Sequence, residues 1–258
     1  VIKLCCKLFC NFAEFLLLQY LNQFPGTNVV RLYGLCFSAD GKMLYLVLQH
    51  FGQSLWDIFI VTKRRLTGQQ YHIFLNNLLT SYARLHQTGV VHIDVKNQNI
   101  MMDDSLNVKI IDFGLSQYLG LSPLVEQANE YITTVDYKAP DFRKSYQSDS
   151  YSLGITIVMC IINRFVPVRP VWDDDGNVKS MTINGYTYDN SYFDTRLGQY
   201  GFELLTKLLH KDITQRWTPQ QTLQHPYFTG QVGGNNYACK PRLYVHYSSD
   251  DYHRQIFE

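Results

Sequence analysis

The chain has 258 residues, 46% of them hydrophobic and 17% charged, so it can bury a sizeable core and is not a disordered chain. Its formal net charge is +1 with no block of like charges, which gives no support for nucleic acid or an anionic membrane as the main partner. Cys5, Cys6, Cys10, Cys36, Cys160 and Cys239 form no C-x-x-C pair, which argues against zinc and for reduced, mostly buried thiols in an intracellular protein.

Val1–Leu21 is apolar, yet Lys3, Lys7 and Glu14 interrupt it and no small-residue cleavage site follows. It reads as a strand over Val1–Leu4 and a helix over Glu14–Leu21, broken by Phe24-Pro25-Gly26. Asn28–Gly34 and Leu44–Gln49 read as strands joined by a turn at Ala39-Asp40-Gly41. Gly52–Phe59 opens a helix with Ser54 as N-cap. Gly68–Thr88 is a long amphipathic helix with apolar positions at Ile73, Phe74, Leu78, Leu79, Tyr82 and Leu85, ended by Gly89. A long polar loop runs from Leu115 to Asp136. Val171–Tyr192 carries D-G at Asp175-Gly176 and N-G at Asn184-Gly185, the signals of an inserted hairpin. The run Asp173-Asp174-Asp175 lacks calcium-loop spacing and reads as a solvated turn.

Between the long helix and the polar loop lies Val91–Gly114, V-H-I-D-V-K-N-Q-N-I-M-M-D-D-S-L-N-V-K-I-I-D-F-G. Two β-branched runs, Asn99–Met102 and Asn107–Ile111, flank a turn at Asp103-Asp104-Ser105 and form a hairpin. The hairpin brings Asn99 close to Asp112, and a carboxylate beside an amide oxygen suits a hard cation such as Mg²⁺. Asp94 sits just ahead, free to accept a proton.

The pattern H-x-D-x-K-x-x-N followed by D-F-G resembles the catalytic core of the eukaryotic protein kinases. The resemblance implies an α+β, two-lobed kinase-like fold with a partial small lobe over 1–48, a hinge over 49–53, a larger helical lobe over 54–228 and a tail over 229–258 without an assigned role. It implies a serine/threonine protein kinase that uses ATP and Mg²⁺, acts on a protein substrate as an intracellular monomer, and binds neither nucleic acid nor membrane. Asp94 would orient the substrate hydroxyl, Lys96 would stabilise the transferring phosphate, and Asn99 and Asp112 would hold Mg²⁺. Thr134, five residues before Ala139, is where the serine/threonine branch places a threonine bonding the catalytic aspartate and lysine.

Lys3 would pair the α- and β-phosphates and be held by Glu14; the short interval between them leaves Lys7 as an alternative. Leu48 would be the gatekeeper, Gln49, His50 and Phe51 the hinge, and Met101 the floor of the adenine site. Leu18, Leu32, His92 and Phe113 would stack between the lobes, with Gly114 completing the D-F-G turn. Tyr137–Asp141, Y-K-A-P-D, resembles the A-P-E motif, so Asp141 should pair with Arg216 of D-I-T-Q-R-W-T. Asp149-Ser150-Tyr151-Ser152-Leu153-Gly154 resembles the start of the buried large-lobe helix.

The departures carry expectations of their own. The sequence starts at Val1, so a glycine-rich loop and the first two strands of the small lobe are missing from it; either a fragment has lost them or the protein works without them. Ile93 stands for the arginine of H-R-D, which predicts an activation segment held by packing and not by a phosphate switch, unless another basic residue such as Lys109 takes its place. Asn97 stands for the proline after Lys96. This divergence and compactness resemble the short kinases of large DNA viruses. Ser54 or Leu55, Gln98 and Met159 occupy the places where basophilic kinases carry acids, so little preference for substrate arginine is expected. Two alternatives stay open: an inactive scaffold of the same fold, and a small-molecule kinase of the aminoglycoside or choline type. Lys96, the A-P-D segment and the Asp149–Gly154 motif together argue against the second.

Overall fold

The computed structural model describes residues 2–5, 8–41, 43–120, 134–141 and 143–230, with side chains from residue 12 onward. A small sheet-rich N-terminal region precedes a larger helical C-terminal one. The first contains β1 (Ile2–Cys5), α1 (Leu8–Leu21), β2 (Leu32–Phe37) and β3 (Leu44–Leu48). β3 is central, with β1 and β2 antiparallel on either side and Lys3 opposite Leu46. Leu44, Leu46 and Leu48 are buried while Tyr45 and Val47 are half-buried, the alternation of a strand with one face on a core. α1 starts at Leu8, earlier than the helical pattern at Glu14–Leu21 suggested.

The strand expected over Asn28–Gly34 begins only at Leu32. Asn28 is left-handed at φ 56°, Val29 makes a parallel bridge to Ile110, and the Val30 N–H donates to Ile110 O at 3.0 Å. These residues therefore pair with the C-terminal region's hairpin and not with β3, which joins the two regions by backbone hydrogen bonds.

The helix expected over Gly52–Phe59 is also corrected. Gly52 adopts φ 41°, and a Cβ there would lie 2.2 Å from Met102 O, so only glycine fits. Gln53–Ser54 then forms β4, and a π-helix follows at Trp56–Val61. Ser54 still does a cap's work, since its Oγ accepts from the Asp57 N–H at 3.0 Å.

Helix α2 (Gly68–Gln87) starts on a reciprocal cap between Thr67 and Gln70, and Gly89 follows its end at φ 83°. It buries Tyr71, Phe74, Leu75, Leu78, Leu79, Tyr82 and Leu85; Ile73, assigned to that face from the pattern, is 40% exposed. Next come β5 (Val90–Val91), β6 (Ile100–Met102), β7 (Val108–Ile110) and β8 (Gln117–Tyr118). β6 and β7 form the expected hairpin, with Met101 opposite Lys109, and β4 adds to its edge. β8 pairs with β5, so the segment after D-F-G begins as a strand and not as a free loop.

Helix α3 (Tyr146–Ile162) is buried from Ser148 to Ile161 and starts on a Ser145–Ser148 capping box. A Cβ at Gly154 would stand 2.7 Å from the Leu209 side chain, which fixes glycine where the two elements cross. Between α3 and the next helix the two turn signals give three strands in place of a single hairpin: β9 (Val168–Trp172), β10 (Val178–Ile183) and β11 (Tyr186–Tyr188), in the order β11-β10-β9. The Asp173 carboxylate closes the first turn on the Asn177 N–H at 2.8 Å. The sheet docks through the Trp172 indole, which donates to Leu209 O at 2.9 Å. α4 (Asn190–Leu197), α5 (Gly201–Leu208), α6 (Pro219–Thr222) and α7 (Pro226–Thr229) complete the region.

Among the described residues no helix is long and apolar enough to cross a membrane. Of the two cysteines whose side chains are described, Cys160 is buried and Cys36 is exposed, against the expectation of mostly buried thiols. The tail over 229–258 lies almost wholly outside the described residues, as do Lys7 and the Lys3 side chain.

Candidate active site

The turn from β5 into β6 carries Asp94, Lys96 and Asn99 within a few residues, and their side chains converge. The Lys96 ammonium donates to Asp94 Oδ2 at 2.7 Å. Asn99 Nδ2 donates to the same oxygen and to the Asp94 carbonyl, both at 2.9 Å. Thr134, brought in from beyond the segment over 121–133, donates its hydroxyl to Asp94 Oδ1 at 3.1 Å and accepts from Lys96 Nζ at 3.1 Å. Asp94 is 7% exposed, so its carboxylate is oriented by three side chains at the edge of solvent.

The loop backbone hangs on one buried acid. Asp149 Oδ2 accepts from the His92 N–H at 2.8 Å and Oδ1 from the Ile93 N–H at 2.9 Å. His86 Nε2 lies 2.9 Å from Asp149 Oδ2. Ile93 is left-handed at φ 71° and is buried with Val91 against Leu119 and Tyr146. Lys109 is not its substitute: its ammonium lies 3.3 Å from Val29 O and 5.5 Å from the Phe51 ring centroid, at the hinge. Burial lowers the Lys109 pKa from its ordinary value.

A second polar network was not assigned from sequence. Asn97 is fully buried, donates to Cys160 Sγ at 3.0 Å and to Thr156 O at 3.4 Å on α3, and accepts from the Tyr137 hydroxyl at 2.9 Å. Burial pushes both the Tyr137 phenol and the Cys160 thiol well up, so both stay protonated at neutral pH. The available signal was an amide in a motif position that the resemblance fills with proline.

The residues expected around nucleotide and metal are distributed as follows. Asp112 is left-handed at φ 64°, directly after Ile111, whose N–H donates to the Asn99 carbonyl at 3.0 Å. Asn99 spends its amide hydrogens on Asp94, which leaves Oδ1 as its ligand atom; with the Asp112 carboxylate this donor set is all oxygen and fits Mg²⁺. Among the described residues no group of three or more His, Cys, Asp or Glu could hold a metal by itself. A cation here would draw its other ligands from phosphate and water.

Glu14 is 1% exposed, not a solvated helix acid, and its Oε1 accepts from the Phe113 N–H at 3.0 Å. The His92 and Phe113 rings meet edge-on at 5.1 Å, and Leu18 is buried in the same core, with Leu32 packed against it. A Cβ at Gly114 would lie 3.5 Å from Asp112 Oδ1. Leu48 is buried, Gln49 donates its N–H to Arg31 O at 2.8 Å, and Phe51 and Met101 are half-buried.

Arg216 pairs with Asp141. Its buried guanidinium donates to Asp141 Oδ2 at 2.7 Å, to Lys211 O at 3.1 Å and to Gln147 O at 3.3 Å, while Nε donates to His210 O at 2.9 Å. It also lies 5.2 Å from the ring centroid of Tyr151, whose phenol burial pushes up to about 12 against the opposing pull of Arg216.

The family model described as "Protein kinase domain" matches residues 12–228. The chain belongs to the protein kinase domain family. Among curated relatives it is 26% identical to mitogen-activated protein kinase HOG1 of Wallemia sebi over 220 residues, 74% of this chain and 77% of that protein. It is 27% identical to the liver/testis phosphorylase b kinase gamma catalytic chain of Mus musculus over 234 residues, covering 87% of this chain and 56% of that one. The serine/threonine-protein kinase DCLK3 of Mus musculus is 26% identical over 234 residues, 87% of this chain and 28% of its own length.

Proposed function

We propose that this kinase is catalytically active and transfers the γ-phosphate of ATP, with Mg²⁺, to serine or threonine hydroxyls of a protein substrate. The observation that carries the reading is the Thr134 hydroxyl between Asp94 and Lys96, 3.1 Å from each. It links the residue that handles the acceptor hydroxyl to the residue that meets the phosphate, and a free carboxylate without a task needs no such bracing.

In this account Asp94 Oδ1 takes up or orients the proton of the incoming hydroxyl, and Lys96 keeps its ammonium where negative charge gathers on the transferring group. Asn99 and Asp112 would hold Mg²⁺, which would neutralise charge on the phosphates. Glu14 fixes the Phe113 backbone and with it the approach of Asp112. Lys3, on β1, would meet the α- and β-phosphates, and Leu48, Gln49, Phe51 and Met101 would enclose the base. An inactive scaffold would carry the same fold without need for the braced carboxylate.

The test is phosphotransfer by purified protein from ATP to a general protein substrate, with and without Mg²⁺, followed by phosphoamino-acid analysis. Magnesium-dependent phosphoserine and phosphothreonine are expected. Label found only on tyrosine, or none at all, would refute the proposal.

A further inference from the structure

The overall charge is +1, yet cations gather at one place on the C-terminal region. Lys63, Arg64 and Arg65 lie between the π-helix and α2, Arg164 follows α3, and Arg196 lies on α4. Asn163 binds these segments together: its Nδ2 donates to Phe59 O at 3.0 Å and to Arg64 O at 2.8 Å, and its own carbonyl accepts from Lys63 Nζ at 2.8 Å. Arg164 is therefore held beside the basic triplet.

Arg196 stacks on the Tyr192 ring, with its guanidinium 3.7 Å from the ring centroid. The Tyr192 phenol is raised chiefly by burial, and Arg196, Arg164 and Arg65 all act on it in the opposite direction. A Cβ at Gly68, three residues past Arg65, would lie 3.8 Å from the Arg196 carbonyl, so α4 lies against the stretch that follows the basic triplet.

Arg64 already holds a carboxylate of the chain, and the other nearby carboxylates are engaged away from the patch. Asp104 pairs with Arg64 at 3.3 Å, Asp57 accepts from the Ser54 hydroxyl at 2.6 Å, Asp189 caps α4, and Asp194 accepts from the Phe202 N–H at 2.9 Å. Lys63, Arg65 and Arg164 are exposed, and among the described residues neither Arg65 nor Arg164 has an ion-pair partner. Phe165, 42% exposed, meets Trp56 edge-on at 5.0 Å and adds an apolar border.

We propose that Lys63, Arg64, Arg65, Arg164 and Arg196 form a docking surface for an acidic segment of the protein substrate; this rests on the protein-kinase reading above. Converging guanidinium forks are suited to carboxylates, which they bind in pairs of parallel hydrogen bonds. The patch begins where the π-helix ends, on the region that carries the catalytic loop. A docked segment continuous with the acceptor peptide would raise the acceptor's local concentration without touching the chemistry. The near-zero net charge favours a short acidic peptide over a polyanion such as RNA.

The experiment measures fluorescence anisotropy of a labelled Glu-rich peptide and of its Gln counterpart on the full chain without ATP. Binding is thereby read independently of phosphotransfer. The Glu peptide should bind and the Gln peptide should not, with affinity falling as salt is raised. Arg65→Ala/Arg164→Ala should weaken binding by about tenfold or more, whereas Arg65→Lys/Arg164→Lys should retain most of it. In turnover assays a Glu-rich extension on an acceptor peptide should lower KM and leave kcat unchanged, and the alanine variant should abolish that difference. Equal binding of both peptides, undiminished binding by the alanine variant, or displacement of the peptide by a lower concentration of single-stranded RNA would overturn the proposal. Peptide binding without any phosphotransfer would leave the acidic docking surface standing and contradict the enzymatic reading instead.

Discussion

The Tyr137 hydroxyl donates to Asn97 Oδ1 at 2.9 Å inside the protein, joining the segment just before Ala139-Pro140-Asp141 to the loop that carries Asp94. A buried pair of this kind shows its worth when one partner is removed. Tyr137→Phe leaves the Asn97 oxygen without a donor and should cost about 1–3 kcal/mol of stability. Asn97→Ala should cost a similar amount, and the double variant less than the sum. Urea unfolding midpoints measure all three; strictly additive losses would show that the two side chains do not act together.

Arg216 and Asp141 call for the same treatment with charge in place. The guanidinium is fully buried, the carboxylate is 13% exposed, and the remaining partners of Arg216 are neutral carbonyls and a ring. Asp141→Ala should therefore destabilise by about 3–5 kcal/mol, because a cation is left buried without its counter-charge. Replacing both partners by apolar residues should recover part of that loss. A thermal transition unchanged by Asp141→Ala would contradict this reading.

How far these relations were legible in the sequence depended on how local they are. Asp94, Lys96, Asn99 and Asp112 lie on one loop and one hairpin, and alternation around the Asp103–Ser105 turn is enough to bring them together. The Arg216–Asp141 pair joins residues 75 apart and followed from motif resemblance alone. The shift of β2 to Leu32 was not legible, because it depends on Val29 and Val30 finding β7, a tertiary pairing that overrides local strand propensity. The loss of the Gly52–Phe59 helix has a similar cause, since Gly52 must pass against the Met102 backbone. The basic patch was invisible as a unit because Arg65, Arg164 and Arg196 lie far apart in the sequence. Met159, at one of the places where basophilic kinases carry an acid, is fully buried on α3.

Thr134 offers a test of how the carboxylate is held. Thr134→Ala removes both bonds and should lower kcat by up to about 10²-fold, the order expected for a misplaced reacting group, with little change in KM for ATP. Thr134→Ser keeps the hydroxyl and should restore most of the activity. Equal loss in both variants would point to packing by the methyl group in place of the hydrogen bonds.

Ile93 bears on regulation. It lies in an apolar contact with Val91, Leu119 and Tyr146, and Tyr146 ties this cluster to the Gly120 carbonyl through a 2.6 Å hydrogen bond. A phosphate on the following segment finds no guanidinium at this position, and Lys109 is committed to the hinge side. Phosphatase treatment should leave peptide turnover nearly unchanged. A fall of about tenfold, roughly 1.4 kcal/mol on the barrier, would show that a phosphate switch operates after all.

Asp94 is proposed to handle the acceptor hydroxyl in Mg²⁺-dependent phosphotransfer from ATP. Asp94→Asn keeps the shape of the side chain and removes the charge that takes up the proton. Turnover of a peptide substrate by this variant, measured beside the unaltered protein with both unfolding at the same temperature, should fall by about 10²–10⁴-fold. Turnover equal to that of the unaltered protein would contradict the account.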